Sequence, residues 1–245
     1  MIIPSTLASH IELLSRSRVL CVGDLMLDRF IYGQVDRTSP EAPVPIIQIE
    51  HETTMLGGVG NVARNLIGLG AKTTLLSVLG DDDIGKTLTL MIGKENTVEP
   101  HLIVEPNRTS TEKTRFVAGG QHLLRADRET VSWINEQSKQ KLLWIAKDII
   151  EDSDVLILSD YAKGILSDEV CRDLISHAKS NNKAIIVDPK GKNYQRYSGA
   201  TIITPNRQEL GQATNQLVQT DDQIVVAGKN LIKQLDINHK PCNFV

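Results

Sequence analysis

The chain has 245 residues, of which 40% are hydrophobic and 23% charged, with a formal net charge of −3. That length can bury a sizeable core as one large or two small domains, and the charge offers no global attraction for nucleic acid or an anionic membrane. No apolar run reaches the ~20 residues that span a bilayer. The N-terminal stretch has no basic segment leading into an apolar one, so no signal peptide is expected. Cys21, Cys171 and Cys242 form no C-x-x-C pair. Reduced thiols in a cytoplasm are therefore expected, without a disulfide framework or a cysteine zinc site.

In chain order, the first strand-like run is 19–23, followed directly by Asp24. The segment 43–50, PVPIIQIE, starts with prolines and alternates in part, which suits an edge strand. A helical pattern over 59–69 ends at Gly70, a natural C′ residue. An apolar run at 73–79 comes next, and 110–127 reads as two strands joined around Gly119-Gly120. A helix is expected over 135–150 with Asn135 as N-cap, then a strand at 155–158. A second helix over 167–180 carries Asp168 and Glu169 in its first turn, where they suit the helix dipole. Strands at 184–187 and 200–203 and a helix over 221–235 complete the pattern. The core runs are continuously apolar, as parallel strands covered on both faces should be. The expectation is one α/β unit over 1–245, doubly wound around a mainly parallel sheet. Excursions near 29–50 and 109–127 form a small β-sheet lid.

Polar residues recur where the core strands end: Asp24, Asp160, Asp188 and, after 200–203, Asn206. In an open parallel sheet ligands bind beyond the carboxyl ends of the strands, so these residues converge on one crest. Carboxylates accept hydrogen bonds from hydroxyls and hold Mg²⁺ through water, which points to a polyhydroxylated or phosphorylated small ligand. The stretch MLGGVGNVARN, residues 55–65, contains Gly58-x-Gly60-x-x-Ala63, a dinucleotide fingerprint. The preceding strand, however, is expected to end near Glu50, with HETTM intervening. The Gly57-Gly58 pair then serves to bring backbone close to a ligand, with the Asn61 amide aimed at a hydroxyl. A nucleotide-dependent oxidoreductase and a non-catalytic binding module remain open at this point.

The stretch GGVGNVARNLIGLGAKTTLLSVLGDDDIG resembles the N-terminal signature of the ribokinase-like (PfkB) carbohydrate kinases. TPNRQE, with Asn206 and Glu209, resembles that family's N-x-x-E motif. GDLMLDRFIYGQVDRTSPEAPVPI, LSDYAKGIL and VDPKG are similar to the heptose 7-phosphate kinase branch, and the likeness runs from about residue 19 to 209. It implies transfer of the ATP γ-phosphoryl group to the anomeric hydroxyl of D-glycero-D-manno-heptose 7-phosphate. It also implies Mg²⁺ as cofactor, a cytoplasmic protein, and a homodimer joined through the lid. By position, Asp24, Asp28, Gly57, Gly58 and Asn61 would hold sugar hydroxyls. Lys113, Arg115 and Arg125 would meet the 7-phosphate, with Asp160 and Lys163 at the junction of sugar and phosphate. Asp188, Lys190, Asn206, Arg207, Gln208 and Glu209 would face the nucleotide, with Glu209 on Mg²⁺ through water.

The family's Gly-Ala-Gly-Asp motif, which supplies the catalytic base and an anion hole, does not occur in these 245 residues. No catalytic residue is therefore assigned. An incomplete kinase domain with its C-terminal part missing, weak or inactive by itself, is the expectation.

Overall fold

The computed structural model describes residues 12–95 and 97–237; Cys242 and the closing segment 238–245 lie outside them. Strand β1 (Arg18–Gly23) sits at the centre of the main sheet. It is flanked by β4 (Lys72–Gly80) and β5 (Val98–Glu105) on one side. On the other lie β8 (Val155–Ser159), β9 (Ala184–Asp188) and β10 (Ile202–Ile203). The six-stranded order is β10-β9-β8-β1-β4-β5, and every pairing is parallel.

Continuous apolarity in these strands reflects burial on both faces, since successive side chains point to opposite sides. Val19 and Cys21 pack with Leu75 and Leu79 beneath α1 (Val59–Gly68) and α2 (Asp83–Gly93). Leu20 and Val22 pack on the opposite face with Leu156 and Leu158. That face is covered by α3 (Glu136–Asp152), α4 (Asp168–Ser180), α5 (Arg207–Thr214) and α6 (Asp221–Gln234). The expected N-caps are in place: Asn135 Oδ1 accepts from Ser138 N–H and Ser167 Oγ from Val170 N–H. Burial pushes the Cys21 thiol up to about 12, as suits a packed core residue.

The lid is a second sheet, ordered β3-β2-β6-β7. It is longer than its sequence suggests. Strand β2 (Leu25–Thr38) leaves the core one residue after β1, and β3 (Pro45–Gly58) runs unbroken through HETTM to the glycine pair. The expected break at Glu50 is corrected, because a largely exposed lid strand needs no apolar alternation to pair. Strands β6 (Thr111–Ala118) and β7 (Gln121–Arg128) turn at Gly119 and Gly120, whose φ values of 56° and 76° favour glycine. Strand β5 escaped the sequence reading because Pro100 and charged residues interrupt it, which an edge strand tolerates.

The turn Gly80-Asp81-Asp82-Asp83-Ile84-Gly85 ties the lid's root to the core. Asp82 Oδ1 accepts from Gly85 N–H (2.7 Å), capping α2, while Oδ2 accepts from Ser110 N–H (2.8 Å). Ser110 Oγ accepts in turn from Gly80 N–H (2.9 Å), immediately before β6. Loss of the cap and of the Ser110 bond together makes Asp82→Ala destabilising by about 1–3 kcal/mol. Urea unfolding measures this, and faster amide exchange at Ser110 and Thr111 should accompany it.

Candidate active site

The carboxyl ends of β1, β8 and β9 bring Asp24, Asp160 and Asp188 to one crest, as read from the sequence. Two of the three are scaffold. Asp24 is buried, and its Oδ2 accepts from Tyr161 N–H (2.8 Å) and Lys163 N–H (3.1 Å) while Oδ1 accepts from Ile165 N–H (3.3 Å). Its assignment as a grip on sugar hydroxyls is therefore corrected: it organises the loop after β8. Burial and then the charge of Asp160 push its pKa up to about 6, against the pull of the three amides. Asp160 is equally enclosed. Its Oδ1 accepts from Ala162 N–H (2.7 Å) and its Oδ2 from the Tyr197 hydroxyl (2.7 Å), while Oδ2 also forms an ion pair with Arg196 Nη2 (3.0 Å). It too is chiefly a support for the neighbouring loops, with only its edge reaching the cleft wall.

The lid presents Asp28 to the cleft. Asp28 Oδ1 pairs with Arg115 Nη1 at 2.6 Å, and the Arg115 guanidinium lies 5.0 Å over the Phe30 ring. Gly57 stands beside them: a Cβ there would run into the Asp28 carboxylate and Met26. Gly58 has φ 59°, and a Cβ there would strike the Asp24 carbonyl, which accepts from Val59 N–H. Asn61 is exposed in the first turn of α1. Lys113 pairs with Asp127 (3.3 Å), and Arg125 pairs with the same carboxylate (2.9 Å). Lys163 Nζ is held by Glu129 Oε1 at 2.7 Å.

The dinucleotide reading of Gly58 to Ala63 falls on this geometry. The strand feeding α1 is an antiparallel lid strand, and Gly60 is buried against Leu25 and Leu56, turned inward. A dinucleotide turn needs a parallel core strand and glycines facing the pyrophosphate.

On the other side, Asp160, Tyr161, Asp188, Lys190, Thr204, Asn206 and Glu209 line a cleft of about 250 Å³. Asn206 and Glu209 form a reciprocal capping box at α5: Glu209 N–H donates to Asn206 Oδ1 (2.9 Å) and Asn206 N–H to Glu209 Oε2 (3.0 Å). The N-x-x-E spacing thus fixes Glu209 by local geometry, and its Oε1 pairs with Lys190 Nζ at 2.8 Å. Burial and then the charge of Glu209 raise the Asp188 pKa. Partial burial acts upward on Glu209 as well, but the bonds from Lys190 and Asn206 outweigh it and hold Glu209 low. Arg207 points away, to the Gln219 carbonyl (3.0 Å) and Asp221, and lines a separate surface hollow with Gln208. Both are corrected as cleft residues, because the capping box turns the second and third residues of the motif outward.

The pfkB family of carbohydrate kinases matches residues 16–239. The chain belongs to that family. Among curated relatives, the bifunctional protein HldE of Paramagnetospirillum magneticum is 49% identical over 228 residues, 93% of this chain and 47% of the relative. HldE of Rhodospirillum rubrum is 44% identical over 232 residues, 95% of this chain and 47% of the relative. The chain spans about half the length of the curated relatives it matches. Phosphofructokinase-2 from Escherichia coli, in its tetrameric inhibited form, superposes with TM-score 0.71 at 20% identity, over 89% of this chain and 71% of that one. Arabidopsis thaliana ribokinase complexed with ribose and ATP gives TM-score 0.62 at 16% identity, over 89% of this chain and 69% of that one. The ribokinase-like fold expected from the motifs is therefore the fold observed.

Several residues of this pfkB kinase site were not legible in the sequence. Arg108, buried, donates through Nη2 to the Lys163 carbonyl and through Nη1 to the Ser132 carbonyl (3.3 Å), with Glu105 beside it. Arg196 and Tyr197 secure Asp160, and Glu129 secures Lys163. None belongs to a short motif.

Proposed function

We propose that this chain is the kinase part of a heptose 7-phosphate kinase, using ATP and Mg²⁺ to phosphorylate the anomeric hydroxyl. The observation that carries the reading is the Asp28–Arg115 pair beside Gly57 and the Lys190–Glu209 pair, both near Tyr161, on which the charges of Asp28, Asp188 and Glu209 all act. The motif likeness to the heptose branch and the HldE relatives support the choice of sugar.

Asp28 accepts hydrogen bonds from sugar hydroxyls, in place of Asp24; Gly57 leaves room for its carboxylate, Gly58 makes the left-handed turn into α1, and Asn61 offers its amide to the sugar. Arg115, Lys113, Arg125 and Lys163 meet the sugar's phosphate by partial release from Asp28, Asp127 and Glu129. Lys190 neutralises nucleotide phosphates, and phosphoryl transfer relies on such positioning and charge. Among the described residues no three metal-ligating side chains gather. Mg²⁺ commonly binds one or two carboxylates plus phosphate and water, which the neighbouring Asp188 and Glu209 fit. The ion would supply charge neutralisation between phosphates.

Ligand-induced melting shifts test the assignment: heptose 7-phosphate and MgATP should each raise Tm, and other sugar phosphates should do so less. No shift with any sugar phosphate overturns it. Without the Gly-Ala-Gly-Asp base, turnover by this chain alone is expected to lie ~10²–10⁴-fold below that of a full-length relative assayed alongside. Sugar binding without ATP consumption is the outcome that favours a non-catalytic module. Exposed Leu123, Leu124 and Ile49 on the lid support pairing with a second copy, which sedimentation tests.

A further inference from the structure

The two lysines of the crest sit on separate loops with largely different fastenings; the point they share is Asp160, whose Oδ1 also accepts from Ala162 N–H beside Lys163. The loop carrying Lys163 is fixed by Asp24, through three amides, and by Arg108, through the Lys163 carbonyl. The loop carrying Lys190 touches neither of these fasteners. Its backbone is gripped at both polar groups by neighbours from the 3₁₀ turn Gln195–Tyr197. Lys190 N–H donates to the Tyr197 hydroxyl (3.2 Å), and the Lys190 carbonyl accepts from Arg196 Nη2 (2.8 Å). The same hydroxyl donates to Asp160 Oδ2 (2.7 Å), and Arg196 reaches Asp160 from the side (3.0 Å).

Tyr197 is fully buried, and the Arg196 guanidinium lies 4.9 Å over its ring. Neither side chain opens onto the cleft. Their polar atoms act on the cleft only through the Lys190 backbone and Asp160. Lys190 Nζ, 2.8 Å from Glu209, is the charged point at which this arrangement meets the nucleotide side. Arg196 Nε is left without a partner among the described residues. The bonds that Tyr197 and the Arg196 Nη2 group do make fix the loop's geometry, and a displacement of about 1 Å at a phosphate-binding group weakens its contribution strongly.

We infer that Arg196 and Tyr197 are positioning residues for the nucleotide end of the site, clamping the Pro189-Lys190-Gly191 loop so that Lys190 and Glu209 meet nucleotide phosphate together. The inference rests on the kinase reading of this cleft. It extends that reading to two residues that touch no ligand.

The test measures MgATP and heptose 7-phosphate binding separately, by calorimetry on the full chain, for the unmodified protein, Tyr197→Phe, Arg196→Lys and Tyr194→Phe. Tyr197→Phe keeps the ring and removes the hydroxyl bonds, and is expected to weaken MgATP binding about 5–10-fold. Heptose 7-phosphate affinity should change less than twofold, since the Asp24 and Arg108 fastenings remain. Arg196→Lys, which keeps the charge without the fork, should give the same split. Tyr194→Phe is the control. Its ring packs 5.5 Å from that of Tyr197, and its hydroxyl has no partner among the described residues. It should leave both affinities alone.

A merely structural role would weaken both ligands in parallel or neither, and either result overturns the clamp. If the unmodified protein binds MgATP and Tyr197→Phe binds it equally well, the clamp alone is wrong. If the unmodified protein binds no MgATP, the kinase reading of this cleft fails, and the clamp's role fails with it.

Discussion

Asp24→Ala should destabilise the protein by about 3–5 kcal/mol, more than any other single change at the crest. Three amide donors, from Tyr161, Lys163 and Ile165, converge on this one carboxylate in a site closed to water. Removing the acceptor leaves all three buried and unpaired, at about 1–3 kcal/mol each. Relief of the charge's own burial offsets part of that. Asp24→Asn keeps one oxygen for the two stronger bonds and turns an NH₂ toward the third donor, so a smaller loss of about 1–2 kcal/mol is expected. Urea unfolding at neutral pH ranks the three proteins. Amide exchange of residues 161–165 should rise with the loss. An Asp24→Ala protein as stable as the parent would show that the loop after β8 is held by something else.

The same carboxylate gives the ranking a pH dependence. Its pKa is pushed up to about 6 in the folded chain, above the usual carboxylate value of 3.8, so the folded state takes up a proton that the unfolded state does not. A raised folded pKa contributes stability that is fully present below pH ~4 and is lost as pH rises through about 6. Between those limits the stability of the parent relative to Asp24→Asn should improve on acidification, by on the order of 2–3 kcal/mol. Glu209 works in the opposite direction. Its folded pKa is lowered, so its contribution is present above the usual glutamate range and falls away on acidification. The difference between parent and Asp24→Asn isolates the first effect from the second. A stability gap that widens with rising pH instead would reverse the assigned sign.

What could be read from sequence was whatever is decided locally. Strands β1, β4, β8 and β9, the caps at Asn135 and Ser167, and the turn at Gly119-Gly120 are each fixed by residues within a few positions of one another. So is the Asn206–Glu209 capping box, which explains why the motif could be located, though not that Arg207 and Gln208 face outward. Chemistry set by distant partners was not legible. Asp24 looked like a ligand-facing carboxylate because its strand-end position is correct; the amides that consume it lie 137 to 141 residues away. The part of Asp160 taken up by the scaffold was hidden for the same reason, with Tyr197 37 residues along the chain. The lid's extent was understated because pairing across a largely exposed sheet demands no apolar pattern, so β3 continues through HETTM without a signal. Position at a strand end therefore finds the crest, and only burial separates its scaffold from its ligand-facing groups.

On the proposed function Asp28 is the carboxylate that meets the sugar, and Asp28→Ala should lower affinity for heptose 7-phosphate by roughly 10²-fold while leaving stability within about 1 kcal/mol. The affinity loss follows from a charged acceptor withdrawn from sugar hydroxyls, each such bond being worth about 1.5–3 kcal/mol. The stability effect stays small because Arg115, though mostly covered, keeps the Lys113 carbonyl and the Phe30 ring as partners when the carboxylate is removed. Gly57→Ala sharpens the test. The φ of Gly57 is not in the left-handed region, so alanine introduces no backbone strain there, but its methyl group would occupy the space of the Asp28 carboxylate and the Met26 side chain. Asp28 must then turn away, and Gly57→Ala should reproduce the binding defect of Asp28→Ala with the carboxylate still present. MgATP binding, which depends on Lys190 and Glu209, should be unchanged in both. The double variant should be little worse than either single one, because the two act on the same contact. Additive losses would mean that Gly57 serves the sugar directly and not through Asp28, and unimpaired sugar binding in Asp28→Ala would remove the lid carboxylate from the substrate site altogether.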